Sequence, residues 1–177
     1  MLINAESIHD KASEVVRQCG TRNTLRIAKE LGIRVYYRDD FEDLLGMYTY
    51  KWKHRLIFLN NRLDDYDLQM VCGHEVGHDL FHRELAKEDA LKEFILFNMK
   101  DSTEYEANAF VAHVRIGDDE MIDMMKQGYD VVQIAAAMET NINLMLIKMN
   151  ELNRMGWRLN LPYVPHGDFL RNIKAEG

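Results

Sequence analysis

The chain predicts an α+β domain, a small and partly antiparallel sheet backed by helices and followed by a mostly helical part. Three observations lead there. Segments rich in β-branched and aromatic residues (Ile33 to Tyr37, Met47 to Tyr50, Leu56 to Leu59) all lie before Asn61. From Asp65 onward the apolar spacing is helical almost throughout. At 177 residues, 47% hydrophobic and 29% charged, the chain also has the make-up of a soluble globular domain large enough for a real core.

The elements follow in order. Asn4 caps a helix from Ala5 to Gln18, with Gly20 just past its end. Asn23 or Thr24 opens a second helix to Leu31, closed by Gly32. The three strands come next, the last two joined near Lys51-Trp52-Lys53-His54. A helix capped by Asp64 or Asp65 runs to about Arg83, its apolar stripe supplied by Leu68, Val71, Cys72 and Val76. Thr103 and Glu106 form a capping-box pattern that starts another helix. Asp130 and Gln133 do the same for a helix to about Met138, and Thr140 caps a last one ending at Met155-Gly156. The divisions expected are a core over 1–116, a helical subdomain over 117–156 and a turn-rich tail over 157–177 that carries both prolines.

His74-Glu75-Val76-Gly77-His78 carries the chemistry. Residues four apart on a helix lie about 40° apart in azimuth and about 6 Å apart in height. Two imidazoles so placed can share one Zn²⁺ at roughly 2.0–2.1 Å. Glu75, offset by one residue, can flank the ion and take a proton from the attacking water. A catalytic zinc needs a third protein ligand. His82 extends the histidine stripe but lies about 12 Å along the axis from His74, and reads as a surface residue or as a support for the ligands. Glu104 is the better candidate, in the first turn of the downstream helix, with Ala107, Asn108 and Val111 on its face as a stripe suited to helix packing. Asn108, one turn on, is placed to hold the second nitrogen of a ligand histidine. Glu106 points about 160° away and stays open as the weaker alternative.

The two motifs together, His-Glu-Val-Gly-His and Glu104-Tyr105-Glu106-Ala107-Asn108-Ala109-Phe110, resemble the ImmA/IrrE family of metallo-endopeptidases. The resemblance extends upstream through Ile27 to Val35, Gly46-Met47-Tyr48 and Leu56 to Asn60, over roughly residues 20 to 155. It implies a zincin-like core, one catalytic zinc on His74, His78 and Glu104, and Glu75 as general base. It also implies a protein substrate, commonly a helix-turn-helix repressor cut to switch on a mobile element, phage or stress response. Two departures stand out. His113 and the following Val114-Arg115-Ile116-Gly117 replace a segment that usually ends in proline, and the chain leaves no room for the sensory domain of the IrrE branch, so it looks like a compact ImmA-type member.

Other classes fit less well. The last two helices suggest helix-turn-helix, but Gly117 to Gly156 holds seven acids against three bases in a chain of net charge −7, the wrong sign for phosphate contact. The methionines there suit a core or an adaptable protein surface. No apolar run approaches the ~18 residues of a membrane span. The two cysteines, Cys19 and Cys72, form no metal-type pair and point to a reducing cytoplasm. Tyr48, Tyr50, His54, Tyr105, His113 and His166 are all candidates for stabilising a tetrahedral intermediate, and spacing singles out none. The rival functions are an inert metal-binding antirepressor, which an intact Glu75 disfavours, and a DNA-associated regulator, which the acidic segment disfavours.

Overall fold

Helix α1 (Ala5–Cys19) begins where the Asn4 side chain accepts the Glu6 amide at 3.1 Å, and it ends at Gly20, whose φ of 63° reverses the chain. Ile8, Ala12 and Val15 bury one face of it. Asn23 caps α2 (Thr24–Glu30) through the Arg26 amide at 2.9 Å, and β1 (Arg34–Arg38) follows. The computed structural model describes residues 3–93 and 101–161.

Strands β2 (Gly46–Lys51) and β3 (His54–Asn60) form a hairpin in which Lys51 pairs with His54. Its two turn residues, Trp52 and Lys53, have φ of 51° and 64°. Such a turn matches the right-handed twist of the strands but is strained without glycine or asparagine. β1 runs parallel to β3, so the sheet is mixed, as the sequence leads one to expect, and β4 (Leu91–Glu93) completes the order β1-β3-β2-β4.

Helix α3 (Asp65–Phe81) is the axis of the molecule. Asp64 caps it through the Asp67 amide at 2.8 Å, and every residue from Met70 to Asp79 is buried. It is covered by β2 and β3, by α2, and by α5 (Ser102–Arg115), with α4 (Arg83–Glu88) leading away from its end. α6 (Asp118–Lys126), α7 (Val131–Ala137) and α8 (Ile142–Arg154) complete the fold, α8 packing on α5 and α7. None of the helices among the described residues is long and apolar enough to cross a membrane.

Three local expectations are corrected. α5 is capped by Asp101, which accepts the Thr103 amide at 3.0 Å, because Glu106 is drawn into buried hydrogen bonds and cannot close a box with Thr103. α8 is capped by Asn141 rather than Thr140. α3 stops at Phe81, short of Arg83, with His82 as its last hydrogen-bonded residue. The capping box of Asp130 and Gln133 is present as read. The proline-bearing segment 162–177, including His166, lies outside the described residues.

Candidate metal centre

Glycines set the spacing between α3 and α5. A Cβ on Gly77 would stand 3.0 Å from the Ala107 Cα, and one on Gly73 would stand 2.5 Å from Val111 Cγ2. The small stripe of α5 therefore seats on the motif helix, bringing the first turn of α5 over His74 and His78.

The result is a tight group. His74 Nε2 is 3.0 Å from His78 Nε2 and 3.1 Å from Glu104 Oε2, and His78 Nε2 is 3.3 Å from Glu104 Oε1. Ligands at roughly 2.0–2.1 Å around a tetrahedral zinc are separated by about 3.3 Å, and one ligand atom from each of the three residues lies within 4.8 Å of the other two, close enough to share an ion. Glu93, on β4, adds a second carboxylate, its Oε2 2.9 Å from His74 Nε2. A single imidazole nitrogen has one proton or one lone pair and cannot serve three partners at these distances, which is how donors gather around a shared ion. Two imidazoles and a carboxylate suit a borderline-soft divalent metal such as zinc.

The far sides of the imidazoles are held as well. Asn108 Oδ1 lies 3.0 Å from His74 Nδ1. His78 Nδ1 is 2.9 Å from His82 Nδ1, His82 Nε2 is 2.9 Å from Glu106 Oε2, and Glu106 Oε1 accepts the Ile3 amide at 2.7 Å. His82 and Glu106 thus support His78 from behind.

Electrostatics divides the acids. Burial lifts Glu75 well above the usual carboxylate range, with Glu93 and Glu104 adding to the effect against His74. Both Glu75 oxygens are buried and paired with no side chain among the described residues, and the backbone amide of Tyr48 offsets the cost of its charge only in part. Burial would raise Glu104 too, but hydrogen bonds from His74 and His78 hold it far below that range. His78 is pushed down to about 4, chiefly by burial. For His74 the pull of Glu93 and Glu104 outweighs burial and lifts it well above its ordinary value.

Asp79, next along α3, ties the motif to the sheet. It accepts the Tyr48 hydroxyl at 2.6 Å, Arg55 Nε at 2.8 Å and Arg83 Nη2 at 3.0 Å. Tyr48 is thereby withdrawn from the centre. Tyr105 bonds Glu151 on α8, His113 belongs to another cluster, His54 is exposed at the hairpin, and Tyr50 stacks beneath Arg83 and Lys87.

The structure brings His74, Glu75, His78, Glu104 and Asn108 together. Sequence reasoning missed Glu93, for which a three-residue strand gives no signal. It also missed the cluster of His9, His113, Asp118 and Lys148. There His9 Nε2 lies 2.7 Å from Asp118 Oδ2, and Lys148 Nζ lies 2.8 Å from His113 Nδ1 and pairs with Asp118. His9, His113 and Asp118 could in principle hold an ion, but the ammonium of Lys148 already serves that charge.

The peptidase M78 family model, described as an IrrE N-terminal-like domain, matches residues 28–149. The chain belongs to this family. Both halves of the centre, on α3 and α5, fall inside the M78 match. A curated protein, "Uncharacterized immunity region protein 2" of Bacillus phage phi105, is 29% identical over 104 residues, covering 59% of this chain and 65% of that protein. The chain thus spans a little under two thirds of that relative.

Proposed function

We propose that the chain is a zinc-dependent endopeptidase that cuts a peptide bond in one protein partner, a helix-turn-helix repressor, as a step of regulation in a phage or other mobile element. The observation that carries the reading is Glu75. A fully buried carboxylate that no side chain pairs is costly to keep in a fold, and this one lies beside three converging ligand atoms. Membership of the M78 family supports peptidase chemistry, and the name of the phage relative, which places that protein in an immunity region, supports a regulatory partner.

His74, His78 and Glu104 would hold the zinc, which when bound supplies a Lewis acid for water and for the scissile carbonyl. Glu75, its proton affinity raised by burial, accepts the proton of the attacking water and passes it to the leaving amine. Asn108 and the His82–Glu106 pair fix the rings of His74 and His78. Asp79, Tyr48 and Arg55 lock the helix to the sheet, so that Glu75 keeps its place.

The test uses the chain and its Glu75→Gln variant, both zinc-loaded, incubated with the helix-turn-helix repressor encoded beside the gene, and fragments read by mass spectrometry. Cleavage by the wild type alone is the expected outcome. An intact repressor in a stable complex with the metal-loaded wild type would replace the enzyme with a non-catalytic antirepressor.

A further inference from the structure

A zincin-like site offers an extended substrate the edge of the strand beside its motif helix, by β-augmentation. Here the chain itself takes that edge. β4 lies antiparallel along β2, with Gly46 opposite Glu93, Met47 opposite Lys92 and Tyr48 opposite Leu91. Gly46 is also the residue against which Glu75 packs, since a Cβ there would stand 3.0 Å from Glu75 Oε1 and collide with Val71. Glu93 is therefore paired with the residue that walls the proposed base, on the reacting side of the centre.

The side chain confirms the direction. Glu93 is 3% exposed, its Oε2 lies 2.9 Å from His74 Nε2, and it shares a hydrogen bond with Glu104. A short edge strand that merely closed a core would bury an apolar group there, because a buried carboxylate is costly without partners. Two of the three residues proposed to hold the metal supply those partners.

We propose that β4 is a resident pseudo-substrate. It holds the strand site on β2 and puts the Glu93 carboxylate in the space beside His74 and Glu75 where the attacking water and the scissile carbonyl have to stand. The inference rests on the peptidase reading above and extends it. The described conformation is the closed one, and a substrate engages as an extended segment that displaces Leu91–Glu93 from β2 and runs antiparallel to it. A helical or tightly folded segment cannot do so, which restricts the substrate to a loop or linker of its protein.

The experiment loads the full chain with cobalt(II) in place of zinc and titrates acetohydroxamate, a small metal-binding probe, following the visible absorption of the ion. If Glu93 and β4 occupy the site, Glu93→Gln binds the probe about tenfold more tightly than the wild type, because the competent state is no longer suppressed. Glu93→Asp, which retracts the carboxylate by one methylene and keeps its charge, shifts affinity in the same direction and guards against a misfolded Gln variant. Equal probe affinity in all three proteins, each holding one cobalt, overturns the role of β4 and leaves the peptidase reading intact. Loss of cobalt from both Glu93 variants also overturns it, by making Glu93 a necessary part of the metal site. A wild type that holds no cobalt removes the metal reading and this inference with it.

Discussion

Asn108 accepts from Nδ1 of His74 at 3.0 Å, one turn along α5 from Glu104. One helix therefore supplies both the carboxylate that approaches Nε2 of His74 and the amide that fixes its opposite nitrogen. With Nδ1 carrying the proton, the lone pair of Nε2 faces the centre. Asn108→Ala is expected to weaken zinc binding by about 10–100-fold while the fold persists, measured by chelator competition. Asn108→Asp, which keeps an acceptor, should recover part of the loss. An unchanged affinity in Asn108→Ala would show that the amide does not orient the ring.

Gly77 tests the closeness of α3 and α5. In an open helix, replacing glycine by alanine stabilises by about 1 kcal/mol. Here the added methyl would meet backbone at 3.0 Å, so Gly77→Ala should instead destabilise by about 1–3 kcal/mol in urea unfolding and weaken metal binding as α5 is pushed outward. A stabilised variant would disprove the tight helix contact.

Asp79 has no exposed surface and takes hydrogen bonds from three residues, Tyr48, Arg55 and Arg83. Burial acts to raise its carboxyl, yet Arg55 and Tyr48 prevail and lower it. Asp79→Ala leaves the buried Tyr48 hydroxyl and the part-buried Arg55 guanidinium without their acceptor and should cost about 3 kcal/mol. Tyr48→Phe, which removes one neutral donor, should cost about 1 kcal/mol in the same urea titration. Similar losses in both would argue against a charged anchor.

His113 gives the protein a pH signature away from the candidate centre. Burial first, and then the neighbouring charges of Lys148 and His9, push it down to about 2 from an ordinary value of 6.5, against the pull of Asp118. The folded chain therefore keeps this ring neutral while the unfolded chain protonates it. The stability it contributes is complete above about pH 6.5 and declines as pH falls from there toward about 2, by at most about 1.4 kcal/mol per pH unit. Between pH 7 and pH 5 the advantage of the wild type over His113→Gln should shrink by about 2 kcal/mol. Parallel stability curves for the two proteins would contradict this.

What the sequence disclosed follows the range of the interactions. His74, Glu75 and His78 are set by helical spacing within one turn, and Glu104 and Asn108 by the same spacing on α5, so periodicity alone gathered them onto two faces. Glu106 shows the limit. Its azimuth excluded it from the face of Glu104 correctly, but its partner, His82, could be found only once α3 ended at Phe81 and crossed α5. Glu93 was invisible because β4 is too short to show alternation and its meaning comes from pairing with Gly46, far away in sequence. Asp101 and Asn141 displaced the expected caps for a similar reason, since neighbouring candidates compete and tertiary contacts decide.

The hydrogen bond from the Ile3 amide to Glu106 has a practical consequence for handling the protein. Through Glu106 and His82 it links the amino end of the chain to the imidazole of His78. A substitution that removes the residue-3 amide proton, such as Ile3→Pro, would act on His78 from the far end of that linkage, and metal content measured on such a variant would report on residue 3 as much as on the site. Preparations for metal analysis should therefore keep residue 3 and its amide as they are.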